Sequence, residues 1–369
     1  MPLNLPTNVN ARITGLSPYQ PGKPVEELMR ERGVADAVKL ASNENPRGPG
    51  PRVLRALANA DLSRYPDGTG FRLKAALSEH LGVDTSRITL GNGSNDVLDL
   101  AARVAVSPGT RGVIDEHCFV VYPLAITAAN GDVTRVPSRE WSHDLEALAA
   151  AVDERTRIVF LANPNNPTGT WFDEATLDAF LAAVPGEVWV VLDEAYAEYV
   201  AESGYPDGIR LIERHPNLIV TRTFSKIHAL AALRIGYSVS SPAFADLLNR
   251  VRQPFNANSL ALVAAEAALS DTEHVAESRR LNSEGMARLA EGFAALSLEW
   301  IPSAGNFVTV RLGPEHDAAK VYDALLDDGV IVRPVANYGM PEHLRVTVGL
   351  PEENERFLAA LARALERTG

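Results

Sequence analysis

A lysine flanked by hydroxyl side chains is the first candidate for chemistry in this sequence. Lys226 lies in the stretch TRTFSKIHALAALRIGY (221–237), after Thr223 and Ser225, and Arg234 follows eight residues later. A lysine amine in a partly desolvated pocket near another cation has a lowered pKa and can act as nucleophile and base. The hydroxyls and the guanidinium suit a phosphate dianion. The stretch predicts a site for an anionic ligand that reacts with an amine, although a lone lysine is more often a surface residue.

Polar residues also follow other predicted strands. In LGNGSND (90–96) two glycines precede a helix that opens at Ser94, Asn95 and Asp96. Glycine lets a ligand approach the backbone, and a helix N-terminus offers unpaired N–H groups to a phosphate. Ser94 or Asn95 acting only as a helix cap is the alternative. A dinucleotide-binding G-x-G-x-x-G would need glycine where Asp96 stands, which argues against a nicotinamide enzyme.

Two more stretches place an amide and carboxylates after apolar runs. In FLANPNNPTGT (160–170) the prolines end a strand and the turn would fix Asn163 at the strand mouth, with a purely structural turn as the alternative. VWVVLDEAYAEY (188–199) runs from apolar residues into Asp193 and Glu194, and Tyr196 follows. A carboxylate at the end of a buried strand costs free energy unless a cation pairs with it. A helix cap and a divalent-metal site are the alternatives for Asp193.

The segments that carry these stretches alternate between strand and helix from about residue 88. Their patterns predict helices over residues 25–32, 95–106, 122–130, 174–183, 259–270, 272–296 and 318–328. This alternation predicts an α/β fold with a mainly parallel sheet and helices on both faces, and ligands bind beyond the carboxyl ends of such strands. The pattern changes near residue 250. We expect an N-terminal arm over 1–33, a large domain over 34–250 and a smaller α+β domain over 251–369.

Composition limits the kinds of partner. The chain has 369 residues, 46% of them apolar and 22% charged, and a net charge of −12 without a basic block, which argues against nucleic-acid binding. Its one cysteine, Cys118, cannot form an intramolecular disulfide, which suits a reducing cytoplasm. We expect no signal peptide, membrane span or zinc site, because the sequence patterns typical of them are absent.

One ligand would satisfy all four stretches. It needs a phosphate, a cationic nitrogen to pair with Asp193 and an aldehyde to react with Lys226. Pyridoxal 5′-phosphate has all three groups, and its enzymes combine a lysine Schiff base with an acidic partner of the pyridine nitrogen. We therefore expect this cofactor.

The order of the motifs resembles a known family. NPNNPTG (163–169), DEAY (193–196), SK (225–226) and RIGY (234–237) together resemble the class-II aminotransferases of fold type I. A narrower similarity, to histidinol-phosphate aminotransferases, is carried by LSPYQPGKPVEELMRERG (16–33), KLASNENPRGP (39–49), RYPDG (64–68) and GVIVRPVANYGMPEHLRVTVG (329–349). The similarity covers residues 13–349, and the ordered set is far more specific than any single motif.

The resemblance implies roles around the cofactor ring. Lys226 would form the Schiff base and move the proton between the substrate Cα and the cofactor C4′. Asp193 would hold the pyridine nitrogen protonated, and Tyr196 and Asn163 would hydrogen-bond the phenolic oxygen. Phe119 stands where the family stacks an aromatic ring on the pyridine, with an ordinary core phenylalanine as the alternative.

The resemblance also implies how the phosphate is bound. Backbone N–H groups at residues 94–96, Ser225 and Arg234 would hold it, with Thr223 as a further candidate. Tyr65 would reach the phosphate of a neighbouring subunit, so that the active unit is a homodimer.

For the substrates, Arg345 would pair with the α-carboxylate of glutamate and of its 2-oxo acid. Histidinol phosphate has no carboxylate, and the family candidates for its phosphate are Tyr19 and Arg333, with an arm-packing tyrosine and a solvated arginine as the alternatives. The implied reaction belongs to histidine biosynthesis: L-histidinol phosphate and 2-oxoglutarate give imidazole-acetol phosphate and L-glutamate. An aromatic amino-acid aminotransferase, a pyridoxal-phosphate-dependent decarboxylase of O-phosphorylated amino acids and a cofactor-binding regulatory module are the alternatives. His228 is expected to serve packing only.

Overall fold

The computed structural model describes residues 9–18 and 21–369. In chain order its strands are β1 (Val38–Lys39), β2 (Ile88–Gly91), β3 (Arg111–Asp115), β4 (Asp132–Val136), β5 (Thr156–Ala162), β6 (Trp189–Asp193), β7 (Leu218–Thr223), β8 (Gly236–Val239), β9 (Glu299–Ile301), β10 (Phe307–Arg311), β11 (Val330–Ile331), β12 (Arg333–Pro334) and β13 (His343–Thr347). Its α-helices are α1 (Ala11–Thr14), α2 (Val25–Arg32), α3 (Pro51–Ala58), α4 (Phe71–Leu81), α5 (Ser94–Ala105), α6 (Val121–Ala128), α7 (Leu145–Ala150), α8 (Glu174–Ala183), α9 (Gly208–Leu211), α10 (Pro242–Val251), α11 (Ser259–Leu269), α12 (Thr272–Ala295), α13 (Ala318–Asp327) and α14 (Pro351–Thr368). The seven predicted helices are confirmed, with ends within two residues of the prediction.

The large domain is built on a seven-stranded sheet. Its strand order is β2-β8-β7-β6-β5-β3-β4, in which β8 runs antiparallel to both neighbours and the other adjacent pairs are parallel. Helices cover both faces, so the central strands carry continuous apolar runs rather than alternating patterns: residues 158–162 of β5 and 190–192 of β6 are all buried. The predicted α/β architecture is confirmed, and the carboxyl ends of β5, β6 and β7 lie side by side.

The small domain has a separate core. Its antiparallel sheet has the order β12-β13-β10-β9, and α12, α13 and α14 pack on it around Phe293, Phe357 and Leu361. β1 pairs in parallel with β11, so residues 38–39, which the predicted boundary assigns to the large domain, join the small domain. α2 packs there too, with Leu28 in one cluster with Leu326 and Ile331. None of the described helices is long and apolar enough to cross a membrane.

Candidate active site

The predicted site residues meet at the carboxyl edge of the large sheet. A cavity there is closed on its other side by the small-domain strands β12 and β13, which contribute Arg333 and Arg345. The predicted residues that line it are Ser94, Asn95, Phe119, Asp193, Tyr196, Thr223, Ser225, Lys226, Arg234, Arg333 and Arg345. The fold therefore brings the four polar stretches and the C-terminal arginines to one place, as the strand-end argument requires.

Lys226 follows β7 and its amine points into this cavity. Nζ donates to the carbonyl oxygen of Ser42 at 3.3 Å and lies 5.5 Å from the ring centre of Tyr196. Desolvation by the surrounding protein lowers the pKa of the amine from 10.5 to about 8, and the positive charge of Arg345 acts in the same direction. A neutral amine, which can attack an aldehyde and accept a proton, is therefore far more populated near neutral pH than for an ordinary lysine.

Asp193 ends β6 and is almost completely buried. Burial raises the pKa of its carboxyl, and hydrogen bonds from Tyr122 and Thr221 oppose that rise. The Tyr122 hydroxyl donates to Oδ2 at 2.9 Å and the Thr221 hydroxyl to Oδ1 at 3.1 Å. The carboxylate is thus oriented by two donors and can hold a cationic nitrogen. The described residues contain no cluster of three potential metal ligands.

The opposite end of the cavity is suited to a phosphate. α5 begins directly after Gly93, whose φ of +81° is a left-handed conformation that favours glycine. A Cβ on Gly93 would lie 2.4 Å from Nη2 of Arg234, and a Cβ on Gly236 would lie 2.4 Å from the backbone nitrogen of Ser94. Arg234 Nη1 donates to the Ser225 hydroxyl at 3.3 Å. A helix N-terminus, a hydroxyl and a guanidinium therefore converge there, as a phosphate requires.

The small domain supplies two arginines. Arg333 and Arg345 are paired across β12 and β13, and both are largely buried. Arg345 Nη2 donates to the carbonyl of Ala41 at 2.9 Å, and Nη1 donates to Oδ1 of Asn166. Its guanidinium lies over the Phe307 ring, with Cζ 5.4 Å from the ring centre. Two guanidinium groups at one cavity suit a ligand with two anionic groups, or two alternative anionic ligands.

Asn163 does not lie in the cavity, contrary to the prediction. Its Nδ2 donates to the carbonyl of Phe172 at 3.0 Å, and its Oδ1 accepts from the Phe172 N–H at 3.1 Å, so the side chain closes a turn. Asn166, three residues later in the same motif, lines the cavity instead and contacts Arg345. The purely structural alternative therefore describes Asn163, and Asn166 is the amide that faces a ligand.

Asp96 also faces away from the cavity. Its carboxylate accepts from Asn256 Nδ2 and from the Asn92 N–H, both at 2.8 Å, and its own N–H bonds to the carbonyl of Gly93 at 3.3 Å. Of the predicted helix N-terminus, Ser94 and Asn95 line the cavity. Asp96 therefore shapes the loop and is not a ligand through its side chain.

Tyr65 and Tyr19 complete the predicted set. Tyr65 does not line the cavity; it is 83% exposed and its ring stacks on Phe255 with 4.9 Å between ring centres. Tyr19 lies outside the described residues.

Three cavity residues were missed by the sequence interpretation. Asn43, Tyr122 and Asn166 all line the cavity and bond to a predicted site residue. Tyr122 follows Phe119 by three residues, close to one helical turn, and that spacing was a usable signal. Asn166 carried the same signal as Asn163, and Asn43 lies in KLASNENPRGP (39–49), whose only signal was its similarity to the family.

Pyridoxal phosphate fits this arrangement group by group. The aldehyde would meet a desolvated lysine, the pyridine nitrogen a buried, doubly hydrogen-bonded carboxylate, and the phosphate a helix N-terminus with a hydroxyl and an arginine. Phe119 and Tyr196 supply aromatic surface at the cavity wall. This fold and site define a pyridoxal-phosphate-dependent enzyme of fold type I.

Comparison with known proteins gives the family. The family model described as "Aminotransferase class I and II" matches residues 35–361. The chain is 60% identical over 357 residues to histidinol-phosphate aminotransferase 2 of Pseudomonas aeruginosa, and the alignment covers 96% of each protein. It is 56% identical over 358 residues to histidinol-phosphate aminotransferase 1 of Nitrosococcus oceani, again with 96% of each covered. The chain belongs to the histidinol-phosphate aminotransferases within the class I and II aminotransferases, which confirms the resemblance.

Solved structures agree with this placement. The crystal structure of histidinol-phosphate aminotransferase from Sinorhizobium meliloti in complex with pyridoxal 5′-phosphate superposes with a TM-score of 0.91 at 32% identity, covering 99% of each chain. Aspartate aminotransferase from Thermus thermophilus, with maleate, has a TM-score of 0.84 at 22% identity and shows the shared fold alone.

Proposed function

We propose that this protein transfers an amino group between L-histidinol phosphate and 2-oxoglutarate, a step of histidine biosynthesis, with pyridoxal phosphate as cofactor. The proposal is supported by the names of relatives at 55–60% identity. The observation that carries it is the arginine pair, Arg333 and Arg345, on neighbouring strands at the mouth of a lysine site. One substrate brings a carboxylate and the other a phosphate to the same cavity, and two guanidinium groups can bind both.

The bound cofactor supplies an electron sink that stabilises negative charge at the substrate Cα. Asp193 would pair with the protonated pyridine nitrogen; Tyr122 and Thr221 orient its carboxylate and oppose the rise in its pKa that burial causes. Tyr196 and Asn166, which both line the cavity, would hydrogen-bond the phenolic oxygen, with Asn166 in the role that the sequence assigned to Asn163.

Lys226 carries the proton. Its Nζ would attach to the cofactor aldehyde, and burial lowers its pKa to about 8 in the cofactor-free protein, so the free amine would be suited to hold a proton beside the substrate Cα. A pKa near the working pH suits a group that must both accept and return a proton. Phe119, at the cavity wall, would pack against the pyridine ring.

The phosphate and substrate groups are bound at opposite ends. The residues that would hold the cofactor phosphate are Ser94, Asn95, Ser225 and Arg234, with Thr223 also lining the cavity. Arg345 binds the α-carboxylate of glutamate. Arg333 would bind the phosphate of histidinol phosphate, and Tyr19 is the second group that the resemblance implies.

Substrate competition tests this proposal. The purified protein should transaminate histidinol phosphate far faster than phenylalanine, and its gene should restore growth of a histidine auxotroph. Preference for phenylalanine would indicate an aromatic aminotransferase, and release of CO₂ from threonine phosphate would indicate a decarboxylase. Lys226→Ala should abolish the borohydride-reducible visible absorbance, and its persistence would show that another residue carries the cofactor.

We also propose that the active unit is a homodimer in the cytoplasm. Leu62, Tyr65, Phe71 and Phe255 are large exposed apolar side chains, as expected of a surface that a second copy covers. Cys118 is buried and unpaired, which suits a reducing compartment. On this view Tyr65 completes the phosphate site of the other subunit.

Mixed dimers test that view. Lys226→Ala subunits keep Tyr65, and Tyr65→Phe subunits keep Lys226. Random mixing should restore about a quarter of the native sites if Tyr65 acts across the interface. At limiting cofactor, no recovery above the two parent variants would mean that Tyr65 serves its own subunit or no site.

A further inference from the structure

Asn43 makes a hydrogen bond that no site motif predicted. It lies in the loop between β1 and α3, is 1% exposed, and has a left-handed backbone with φ of +55°. Its Nδ2 donates to the hydroxyl oxygen of Tyr196 at 2.9 Å. A buried amide side chain needs partners for both its ends, so its other end decides which way round it sits.

Thr347 fixes the direction of this amide. The Asn43 N–H donates to Oγ1 of Thr347 at 2.9 Å, and that hydroxyl donates to Oδ1 of Asn43 at 3.2 Å. With Oδ1 toward Thr347, the hydroxyl proton has an acceptor; with the amide reversed, Nδ2 would face the threonine oxygen and the hydroxyl proton would lose that acceptor. Oδ1 therefore faces Thr347, and Nδ2 must face Tyr196.

The direction matters for Tyr196. A phenol can donate one hydrogen bond and accept others. Because Asn43 donates to it, the tyrosine keeps its own proton for a different acceptor, and Tyr196 lines the cavity. We propose that Thr347 and Asn43 are positioning residues that form a directional hydrogen-bond chain and make Tyr196 a donor toward the phenolic oxygen of the cofactor. This inference rests on the proposed function and deepens it.

The chain starts on the strand that binds substrate. Thr347 and Arg345 are two residues apart on β13 and so project from the same face. The charged groups that act on Tyr196 are Arg345 and Asp193 at its hydroxyl and Lys226 over its ring. Substitutions at Asn43 and Thr347 leave these three charged groups in place.

A merely structural role for Asn43 is the competing explanation. The same loop is held by Asn306, whose Nδ2 donates to the carbonyls of Asn43 at 3.1 Å and Glu44 at 3.2 Å. Those bonds involve the loop backbone and survive loss of the Asn43 side chain. Positioning of Tyr196 can therefore be separated from support of the loop.

Two neutral variants break the chain. Asn43→Gly removes the amide, and glycine tolerates the left-handed backbone. Thr347→Val keeps the shape of the side chain and removes the hydroxyl that orients the amide. Thr347→Ser restores that hydroxyl.

Thr156→Val is the matched control. Thr156 is fully buried, and its hydroxyl accepts the N–H of Asp153 and donates to Oδ1 of the same residue, both at 3.0 Å. The variant loses the same pair of bonds at a distance from Tyr196, so it reports the cost to stability alone.

The test measures the visible absorbance of the bound cofactor against pH, the affinity of the cofactor-free protein for pyridoxal phosphate, and the thermal midpoint of the cofactor-free protein. Without Asn43, the proton of Tyr196 is no longer directed at the phenolic oxygen of the cofactor, and that oxygen becomes more basic. The pH midpoint of the absorbance change should therefore rise by about one unit in Asn43→Gly. Thr347→Val should give a smaller rise, and Thr347→Ser should match the wild type. Affinity should fall roughly tenfold in Asn43→Gly.

Thr156→Val should lower the thermal midpoint and leave the pH midpoint unchanged. The inference is overturned if Asn43→Gly and Thr347→Val lower only the thermal midpoint, as the control does. Absence of a visible band in the wild type with pyridoxal phosphate would instead overturn the proposed function, and this inference with it.

Discussion

Lys226 is expected to titrate near pH 8 in the cofactor-free protein, and its neighbours should move that pKa in opposite directions. Burial is the main cause of the depression from 10.5 to about 8, the cation of Arg345 adds to it, and the carboxylate of Glu44 opposes it. At pH 7 an amine of pKa 8 is about 9% neutral and one of pKa 10.5 about 0.03%, so the site raises the reactive fraction roughly 300-fold.

The contribution of Arg345 can be worked out from Coulomb's law. Nζ of Lys226 is 5.5 Å from the Tyr196 ring centre, that centre is 5.1 Å from the Phe307 ring centre, and Cζ of Arg345 is 5.4 Å from the latter, so the two cations are at most about 16 Å apart. At an effective dielectric constant of about 20, cations within that distance repel by at least about 1 kcal/mol, which is close to one pKa unit. Removing the cation stabilises the ammonium form, so Arg345→Gln should raise the pKa of Lys226 by about one unit. Glu44→Gln removes a stabilising anion and should lower it.

Competitive chemical labelling measures this pKa directly. The cofactor-free protein is treated briefly with an amine acylating reagent across a range of pH, and labelling of Lys226 is quantified by mass spectrometry. Exposed Lys320 serves as the reference in the same sample. A midpoint for Lys226 at or above pH 10, or shifts of the same sign in the two variants, would refute the electrostatic reasoning.

Two further predictions concern buried side chains. Asn163→Ala should lower the thermal midpoint while keeping cofactor affinity, because both backbone groups of Phe172 lose partners. Asn166→Ala should keep the thermal midpoint and reduce cofactor affinity roughly tenfold. If Asn163→Ala instead reduced the affinity and Asn166→Ala only the thermal midpoint, Asn163 would be the residue that contacts the cofactor. Burial lowers the pKa of His228 to about 3, so below pH 6.5 only the unfolded chain gains that proton and stability falls. In urea denaturation, the wild type should lose about 1.4 kcal/mol more unfolding free energy between pH 7.5 and 5.5 than His228→Gln does. An equal loss in the two proteins would contradict this.

The parts of the fold that the sequence predicted are those set by local pattern. The end of β6 is an apolar run closed by Asp193, and a polar group in that position must lie at the edge of the sheet. Lys226 follows β7 in the same way. Helices such as α8 were located because their period and caps are local, with Asp173 capping Thr176. The domain boundary was harder, because the pairing of β1 with β11 joins residues far apart in the chain.

Asn163 and Asn166 show where local reasoning ends. Both are asparagines followed by proline in one turn, and nothing in composition or spacing separates them. Their roles are decided by the backbone of Phe172, which occupies the first amide, and by Arg345 of the other domain, which meets the second. A motif therefore located the turn but not the side chain that faces the ligand.

The hydrogen-bond chain from Thr347 to Tyr196 shows that the direction of a hydrogen bond, like the position of a side chain, depends on residues distant in sequence. Thr347 and Asn43 are 304 residues apart, and Asn43 and Tyr196 are 153 apart, so no local pattern can express their contact. An asparagine can present either its oxygen or its nitrogen to Tyr196, and only the threonine decides which. A threonine in the small domain therefore determines whether a tyrosine in the large domain donates or accepts, and this explains why a site built from recognisable motifs still depends on residues that carry no motif.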